Sequence, residues 1–295
     1  MKYRHSFHAG NFADVHKHVA LLALLTALKR KDKGFLYLET HAGSGAYSGQ
    51  RSHAPRDSKS SGDITHESES GIGRIASVDF NAEELRNYLA KVVVFRGERG
   101  DKRAYPGSPL LAETELRAQD RGVAVEILPP EARALELALG AGATIRVERG
   151  DGFERIRAHL PPKERRGLTF IDPPYEETRR DFERVTLAAT EALQRFESGI
   201  VCAWYPIKDD RDVASWKTAF TRAVNRETLF SELWLFPRDS RVGLNGSGLA
   251  IVNPPFQFAE RADVWLWELH QRLDTARSGG AANERFTPPA ANAAR

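Results

Sequence analysis

The chain has 295 residues, of which 41% are hydrophobic and 28% are charged, which is enough for one large α/β core and excludes a disordered or fibrous protein. A formal net charge of +3 and a pI near 9.0 weakly favour an acidic partner such as nucleic acid. The single cysteine, Cys202, excludes an intrachain disulfide and a Cys-rich metal site, and because no signal peptide or membrane-length apolar run is present we expect a cytoplasmic protein without a membrane partner.

Apolar runs that alternate with helical stretches predict a layered α/β fold. The predicted strands are 35–40, 123–127, 144–149, 167–172, 199–205, 231–236 and 248–253, and the helices between them are 130–139, 152–160, 178–197 and 211–225. Strand–helix alternation indicates a mostly parallel sheet with helices on both faces. The last two strands are joined by PRDSRVGLNGSG, which leaves no room for a helix, so we expect an antiparallel hairpin. A seven-stranded, mostly parallel sheet ending in such a hairpin is the arrangement of Rossmann-like class I methyltransferases that use S-adenosylmethionine.

The first two strands are separated by about eighty residues, far more than an ordinary crossover needs, so a further unit is inserted there. We predict a Rossmann-like domain at 1–47 and 105–277, interrupted by an inserted mobile loop and helical subdomain at 48–104. The Ala/Gly/Pro-rich segment 278–295 predicts a disordered tail. Around the insertion we expect a polar loop and two helices, at 48–73, 81–96 and 109–120.

The most informative motif is Asp172-Pro173-Pro174-Tyr175, which follows directly on a predicted strand. The exocyclic amine of adenine is a poor nucleophile, so its methylation needs acceptors that hold both N–H bonds. The Asp172 carboxylate and the Pro173 carbonyl are two such acceptors, because consecutive prolines fix φ and hold the carbonyl rigidly. Tyr175 offers a face on which a flipped base stacks. Ligands bind at strand carboxyl ends in open α/β sheets, which favours an amino-methyltransferase site over a proline-rich turn.

Three other strand ends carry residues suited to a nucleoside-type cofactor. The loop 41–45, HAGSG, lets the backbone approach a ligand and lacks the Lys-Ser/Thr of a phosphate loop. Glu126 can accept hydrogen bonds from both ribose hydroxyls, and Asp151, followed by Gly152, can bind the adenine amine of the cofactor. Each acid alone is better explained as a solvated carboxylate or a helix cap. Together, beside Asp172, they indicate a cofactor site.

Two further patterns are less informative. Asn-Pro-Pro-Phe at 253–256 matches the loose form of the motif, but it follows the last strand of the sheet and is interpreted as structural. Four histidines lie near the N-terminus, yet His16 and His18 fall on opposite faces of a helix, so no metal is expected. The basic and aromatic residues mixed there fit RNA contact or closure over a cofactor, and a capped amphipathic helix explains them as well.

Several segments of the chain resemble a known family. They are RHSFHAGNFADVHKH, FLYLETHAGSGAY, YPGSPLLA, GDGF, RRGLTFIDPPYE and WYPI. In these stretches the chain resembles the bacterial 23S ribosomal RNA adenine-N6 methyltransferases of the RlmJ family. The resemblance implies S-adenosylmethionine as methyl donor, an adenine of 23S ribosomal RNA as acceptor, no metal, and a helical subdomain inserted after the first strand.

The resemblance also implies roles for individual residues. Asp172 accepts the hydrogen bonds, or a proton, from the target amine, and Tyr3 meets the RNA substrate. Pro173, Pro174 and Tyr175 complete the expected substrate site. Cofactor contacts are implied for His18, His41, Ser108, Glu126, Asp151, Gly152 and Asp172.

We therefore predict in-line methyl transfer to an adenine N6 in 23S ribosomal RNA, by a monomer acting on protein-free RNA or an early assembly intermediate. A DNA adenine-N6 methyltransferase is the first alternative, although no DNA-recognition domain is evident. A protein glutamine methyltransferase would favour Asn over Asp172, and an NAD-dependent dehydrogenase would need a third glycine after the loop 41–45. From another class, a non-catalytic ribosome-assembly RNA-binding protein is disfavoured by the acids and glycines at the strand ends.

Overall fold

A computed structural model of the chain describes residues 9–48, 68–240 and 242–289. Tyr3 and most of the polar insertion lie outside these ranges. The strands are β1 (Leu36–Glu39), β2 (Ala46–Tyr47), β3 (Tyr105–Pro106), β4 (Arg121–Glu126), β5 (Ile145–Arg149), β6 (Gly167–Ile171), β7 (Ile200–Ile207), β8 (Thr228–Trp234), β9 (Gly246–Val252) and β10 (Gly280–Phe286). The helices are α1 (Phe12–Lys29), α2 (Ile72–Ile75), α3 (Glu83–Arg99), α4 (Ser108–Glu113), α5 (Pro129–Leu139), α6 (Gly152–His159), α7 (Thr178–Arg195), α8 (Asp210–Val224) and α9 (Phe258–Leu273).

The main sheet has eight strands in the order β10-β8-β9-β7-β6-β1-β4-β5. Strands β5, β4, β1, β6 and β7 pair in parallel, and β9 pairs antiparallel with both β7 and β8. The mostly parallel sheet and the antiparallel β8–β9 hairpin confirm the predicted fold class. The sheet has one strand more than expected, because β10 extends it at the β8 edge.

Strand β10 contradicts the expected disordered tail from residue 278 onward. Residues 280–286 pair with β8 along their whole length, from Gly280 opposite Trp234 to Phe286 opposite Thr228. The backbone of an edge strand offers unpaired N–H and C=O groups whatever the side chains are, so an Ala/Gly-rich segment can pair there. A Cβ on Gly280 would lie 2.4 Å from the Trp234 ring, so glycine permits this close approach.

Helix α1 is buried on nearly all sides and lies at the centre of one core layer. The Asn11 side chain accepts hydrogen bonds from the backbone N–H groups of Ala13 and Asp14, both at 3.0 Å, and so caps the helix start. A helix that is buried all round must bring its polar residues into contact with partners. In α1 the buried polar residues are Asp14, His16, Lys17 and His18.

The region inserted after β1 shares the core of the sheet domain. Apolar residues of α3 belong to the same buried cluster as those of α1. The two-stranded pairing of β2 with β3 brings the ends of the insertion together. Helix α4 stops at Glu113, well short of the predicted 109–120, and the backbone bonds that follow run three residues back, from Glu115 N to the Ala112 carbonyl and from Leu116 N to the Glu113 carbonyl. The Glu113 carboxylate accepts hydrogen bonds from the backbone at the start of β5.

Helix α9 completes the fold and was not predicted from the sequence. Its apolar residues recur at helical spacing and bury Trp265, Leu266 and Leu269 against α1, β8 and β10. Across residues 9–48, 68–240 and 242–289, no helix is long and apolar enough to cross a membrane.

Candidate active site

A cavity of about 1470 Å³ opens at the carboxyl ends of the central strands. Its walls come from the start of α1 and from the loops that follow β1, β4, β6, β7 and β8. Among the predicted site residues, those that line the cavity are His41, Ser108, Glu126, Asp172, Pro173, Pro174 and Tyr175. His18, Asp151 and Gly152 are not part of the lining, and Tyr3 lies outside the described residues.

Asp172 is held by a buried ammonium group. Lys17 Nζ donates to Asp172 Oδ2 at 2.5 Å and pairs with Asp14 Oδ1 at 2.9 Å. Burial opposes the charge of Lys17, but the two carboxylates outweigh it and raise the pKa of Lys17 well above its ordinary value. Lys17 is therefore a fixed cation that orients Asp172. Nothing in the sequence pairs Lys17 with the motif 155 residues away.

Asp14 is itself fixed by the first turn of α1. Besides Lys17 it accepts a hydrogen bond from Gly10 N at 3.0 Å, and its own backbone N–H is bound by the Asn11 cap. Gly10 has φ +81°, and a Cβ there would lie 3.0 Å from Ile72, so the turn before α1 suits glycine. The cap of α1 thus determines where Asp14 and Lys17 stand.

Tyr175 lies deeper than predicted. Its ring is 2% exposed, and its hydroxyl donates to the Trp204 carbonyl oxygen at 2.7 Å. The ring meets Phe182 and Trp204 edge-on, each with centroids 5.5 Å apart. Its backbone has φ +50°, an uncommon conformation for a residue with a side chain and one that turns the motif sharply away from β6. The face expected to take a stacked base is covered by neighbouring side chains.

Glu39, at the end of β1, is a buried carboxyl group that was not predicted as a site residue. Its Oε2 accepts from the Tyr37 hydroxyl at 2.7 Å and its Oε1 accepts from the Ser108 hydroxyl. Burial raises the pKa of Glu39 to about 8, although both hydrogen bonds work in the other direction. The nearby charges of Asp172 and Lys17 also act on it. The signal in the sequence that could have identified Glu39 is an acidic residue two positions before the loop 41–45.

Ser108 reaches the cavity through the pairing of β2 with β3. Gly107 N donates to the Gly45 carbonyl at 2.6 Å, which joins the segment PGSP to the glycine loop. A Cβ on Gly107 would lie 3.0 Å from the same oxygen, so glycine permits the contact. This contact places Ser108 beside Glu39, next to the end of β1.

Glu126 closes the glycine loop onto β4. Its Oε2 accepts from Gly43 N and its Oε1 from Leu128 N, both at 2.8 Å. Gly43 and Gly45 have φ of +62° and +75°, and a Cβ at either would come within 2.6 Å of a neighbouring side chain. Glycine therefore permits the loop to pack closely on these side chains while residues 41–44 line the cavity, and each oxygen of Glu126 retains a lone pair for ribose hydroxyls.

Asp151 caps α6, which agrees with its interpretation as a helix cap. Its Oδ1 accepts from Phe153 N at 2.9 Å and its Oδ2 pairs with Arg184 at 3.1 Å. Gly152 lies so close to the backbone of Thr40 that a Cβ would come within 1.8 Å of its carbonyl oxygen. Asp151 thus stands behind the loop that carries His41 and is not part of the cavity wall.

The two predicted histidines differ in their surroundings. His41 packs edge-on against Phe153 at the cavity wall, and burial lowers its pKa to about 4, which leaves it neutral near pH 7. His18 is 1% exposed, stacks on Tyr105 and hydrogen bonds to the Tyr105 hydroxyl at 2.8 Å. A cofactor contact of His18 stays a prediction.

The second proline motif, at 253–256, lies away from the cavity lining. Asn253 donates from its side-chain amide to the carbonyls of Glu197 and Gly199, both at 2.8 Å, and has φ +53°. These bonds hold the loop that leads into β7. Nowhere in the described ranges do three or more His, Cys, Asp or Glu side chains converge as metal ligands would.

Comparisons with known proteins find matches that span most of this chain. The model of a family described as "Ribosomal RNA large subunit methyltransferase D, RlmJ" matches residues 32–287. Proteins named "Ribosomal RNA large subunit methyltransferase J" from Escherichia coli (strain K12) and Haemophilus influenzae are 38% and 35% identical, each covering 98% of this chain and 99% of the relative. A crystal structure of a protein from Legionella pneumophila superposes with a TM-score of 0.79 at 32% identity, covering 94% of this chain and 98% of that one.

Proposed function

Because the chain belongs to the RlmJ family of large-subunit ribosomal RNA methyltransferases, it is an rRNA methyltransferase, and we propose that it methylates the N6 amine of an adenine in 23S ribosomal RNA. The observation that carries the choice of atom is Asp172, held by Lys17 at the head of two consecutive prolines on the cavity wall. Among alternatives, methylation of adenine N6 in DNA would use the same amine chemistry.

The proposed chemistry depends on hydrogen-bond acceptors. Lys17 occupies Asp172 Oδ2, while Oδ1 has no hydrogen-bond partner among the described residues. We propose that Oδ1 and the Pro173 carbonyl accept the two N–H bonds of the target amine, which draws the nitrogen toward tetrahedral geometry. Held in this way, the nitrogen lone pair would lie in line with the methyl group of the donor, and Asp172 would accept the proton that the amine loses when the N–C bond forms. No covalent enzyme intermediate is needed.

The residues around the glycine loop fit S-adenosylmethionine. This cofactor supplies an electrophilic methyl group on a sulfonium, and no metal is proposed. Glu126 would hold the ribose hydroxyls, and the loop residues 41–44 that line the cavity would lie along the ligand. We further propose contacts from His41 and Ser108 and, as the family resemblance implies, from His18, Asp151, Gly152 and Asp172.

The substrate setting is proposed as follows. The enzyme acts in the cytoplasm as a monomer on protein-free 23S RNA or an early assembly intermediate. Tyr3 contacts the RNA, and the pyrrolidine rings of Pro173 and Pro174 border the target base. The proline motif lies on the cavity wall beside Lys17, which supports the last assignment.

The test is methyl transfer from labelled S-adenosylmethionine to protein-free large-subunit RNA that lacks the modification, followed by nucleoside analysis. We expect labelled N6-methyladenosine with the native enzyme and a fall in turnover of at least about 100-fold in Asp172→Ala, because removing one preorganised partner of the reacting centre has that effect. Asp212→Ala is the matched control, since Asp212 is paired with Arg179 outside the cavity lining.

Two results would contradict the proposal. Normal turnover in Asp172→Ala would remove Asp172 from the chemistry. Label in DNA but not in RNA, with the cofactor bound, would support the DNA alternative. Cofactor binding itself is measured by the thermal shift that it causes.

A further inference from the structure

We propose that Trp204 provides the aromatic surface on which the target adenine stacks, and that Ser247 and His16 fix the orientation of its indole. The inference rests on the proposed function and adds a substrate-binding residue outside the proline motif. Trp204 is half-buried on β7 and lines the same cavity as Asp172.

Tyr175 is the obvious aromatic candidate, but its environment argues against it. Only 2% of the residue is exposed, and its hydroxyl is bonded to the Trp204 carbonyl. Turning the ring into the cavity would break that bond and remove its edge contact with Phe182. Tyr175 thus forms the wall behind Trp204.

Trp204 stands at the distance that the chemistry requires. Lys17 Nζ lies 5.6 Å from the centre of the Trp204 ring and 2.5 Å from Asp172 Oδ2. The ring centre is therefore at most about 8 Å from Oδ2 of the carboxylate whose Oδ1 is the proposed acceptor, a separation that a purine on the indole can span with its exocyclic amine directed at the carboxylate.

A buried chain of hydrogen bonds fixes the indole. Trp204 Nε1 donates to Ser247 Oγ at 2.9 Å, and Ser247 Oγ lies 3.0 Å from His16 Nδ1. His16 Nε2 continues the chain to Ser231 Oγ at 3.3 Å. Both serines and His16 are fully buried, and burial lowers the pKa of His16 to about 3, so its ring is neutral with one donor and one acceptor nitrogen.

These hydrogen bonds connect Trp204 to helix α1, which carries Lys17. His16 and Lys17 are adjacent on α1, Ser247 is on β9, and Trp204 is on β7. An indole whose plane is fixed before binding loses little side-chain entropy when a base stacks on it. Base–aromatic stacking is also sequence-tolerant and corresponds to roughly 5- to 150-fold in affinity.

The experiment compares Trp204→Leu, Trp204→Phe and Trp204→His by steady-state kinetics on protein-free large-subunit RNA. We expect kcat/KM for RNA to fall about 10-fold or more in Trp204→Leu. Between the two aromatic variants the fall should be larger for the smaller ring, so that Trp204→Phe stays within about threefold of the native enzyme. The KM for S-adenosylmethionine should be unchanged. Ser247→Ala keeps the ring but not its anchor and should give an intermediate fall.

The matched control is Trp267→Leu, because Trp267 is 54% exposed on α9 and lies outside the cavity lining. A thermal melt checks that each variant is folded. If Trp204→Leu does not fold, the comparison of Trp204→Phe with Trp204→His decides. A leucine or histidine variant with native kcat/KM for RNA would overturn the inference, as would equal falls in Phe and His.

The outcome for native enzyme separates the two proposals. Labelled N6-methyladenosine from the native chain supports the proposed function whatever the Trp204 variants do. If the native enzyme transfers no label to RNA, both proposals fall together.

Discussion

The buried carboxyl group of Glu39 makes the stability of the folded state depend on pH. Its side chain is held between the hydroxyls of Tyr37 and Ser108, and burial raises its pKa to about 8. In the unfolded chain the same group titrates near its ordinary value of 4.5. The folded state therefore binds more protons than the unfolded state between these two values, and its stability falls as the pH rises through that window.

The first prediction uses Glu39→Gln, which keeps the size of the side chain and can no longer ionise. Relative to the variant, the native protein should lose up to a few kcal/mol of free energy of unfolding between about pH 5 and pH 8, because His16 and His41, whose lowered pKa values act in the opposite direction, contribute equally to both proteins. Urea unfolding at a series of pH values measures it. Glu260→Gln is the control: Glu260 is exposed, and its hydrogen bond with Arg285 lowers its pKa, away from this window. Equal slopes in the native protein and Glu39→Gln would contradict the assignment.

At the scale of elements, the two proline motifs show how context decides the use of a pattern. The motif after β6 meets α1, whose Lys17 binds Asp172. In the motif after β9, Asn253 uses its amide to bind the carbonyls of Glu197 and Gly199. One motif forms part of the cavity wall, and the other fastens a loop.

The corresponding prediction is that Asn253→Ala affects stability and not catalysis. A half-buried carbonyl and an exposed one lose their donor and alanine is strained at φ +53°, so the free energy of unfolding should fall by about 1–3 kcal/mol. The kcat on RNA should stay within about twofold, because the motif lies away from the cavity lining. Urea unfolding and turnover measured on one preparation check both. A large loss of kcat in a stably folded variant would show that the loop takes part in the reaction.

At the scale of the whole molecule, the end of the described chain completes the sheet. Strand β10 covers the edge of β8, and Ser278 and Gly279 are bound to Leu235 and Asp274 just before it. An edge strand with free backbone groups is a template for pairing with another chain. The Ala/Gly-rich segment therefore has a structural role that its composition does not show.

Deletion of residues 278–295 should accordingly lower Tm by several degrees and produce oligomers or aggregate, because β8 becomes the edge of the sheet. Differential scanning calorimetry and gel filtration measure the two effects. Deletion of residues 290–295 is the matched control, since it leaves β10 whole. If both truncations melt at the native temperature and stay monodisperse, the pairing of β10 contributes nothing to stability.

Local patterns were sufficient for the order of the central elements. The apolar runs and their helical spacers gave the parallel sheet and the antiparallel hairpin, because burial on both faces of a parallel sheet requires near-continuous apolar strands. Helix α9 and strand β10 were not found: the first was overlooked despite its helical spacing, and the second has no apolar pattern. Helix α4 is shorter than predicted, and its Glu113 binds the start of β5, a contact between distant segments that helical spacing does not show.

The sequence by itself determined the chemistry at the strand ends: an acid with two prolines after β6, a glycine loop after β1 and a carboxylate at the end of β4. Only the tertiary structure decided which other side chains contact these groups and how deeply each is buried. It placed Lys17 on Asp172, buried Glu39 and Tyr175, and left Trp204 half-buried in the cavity wall. The physical reason is that a side chain's burial and its hydrogen-bond partners come from segments far apart in the chain, and spacing along one segment carries no record of them.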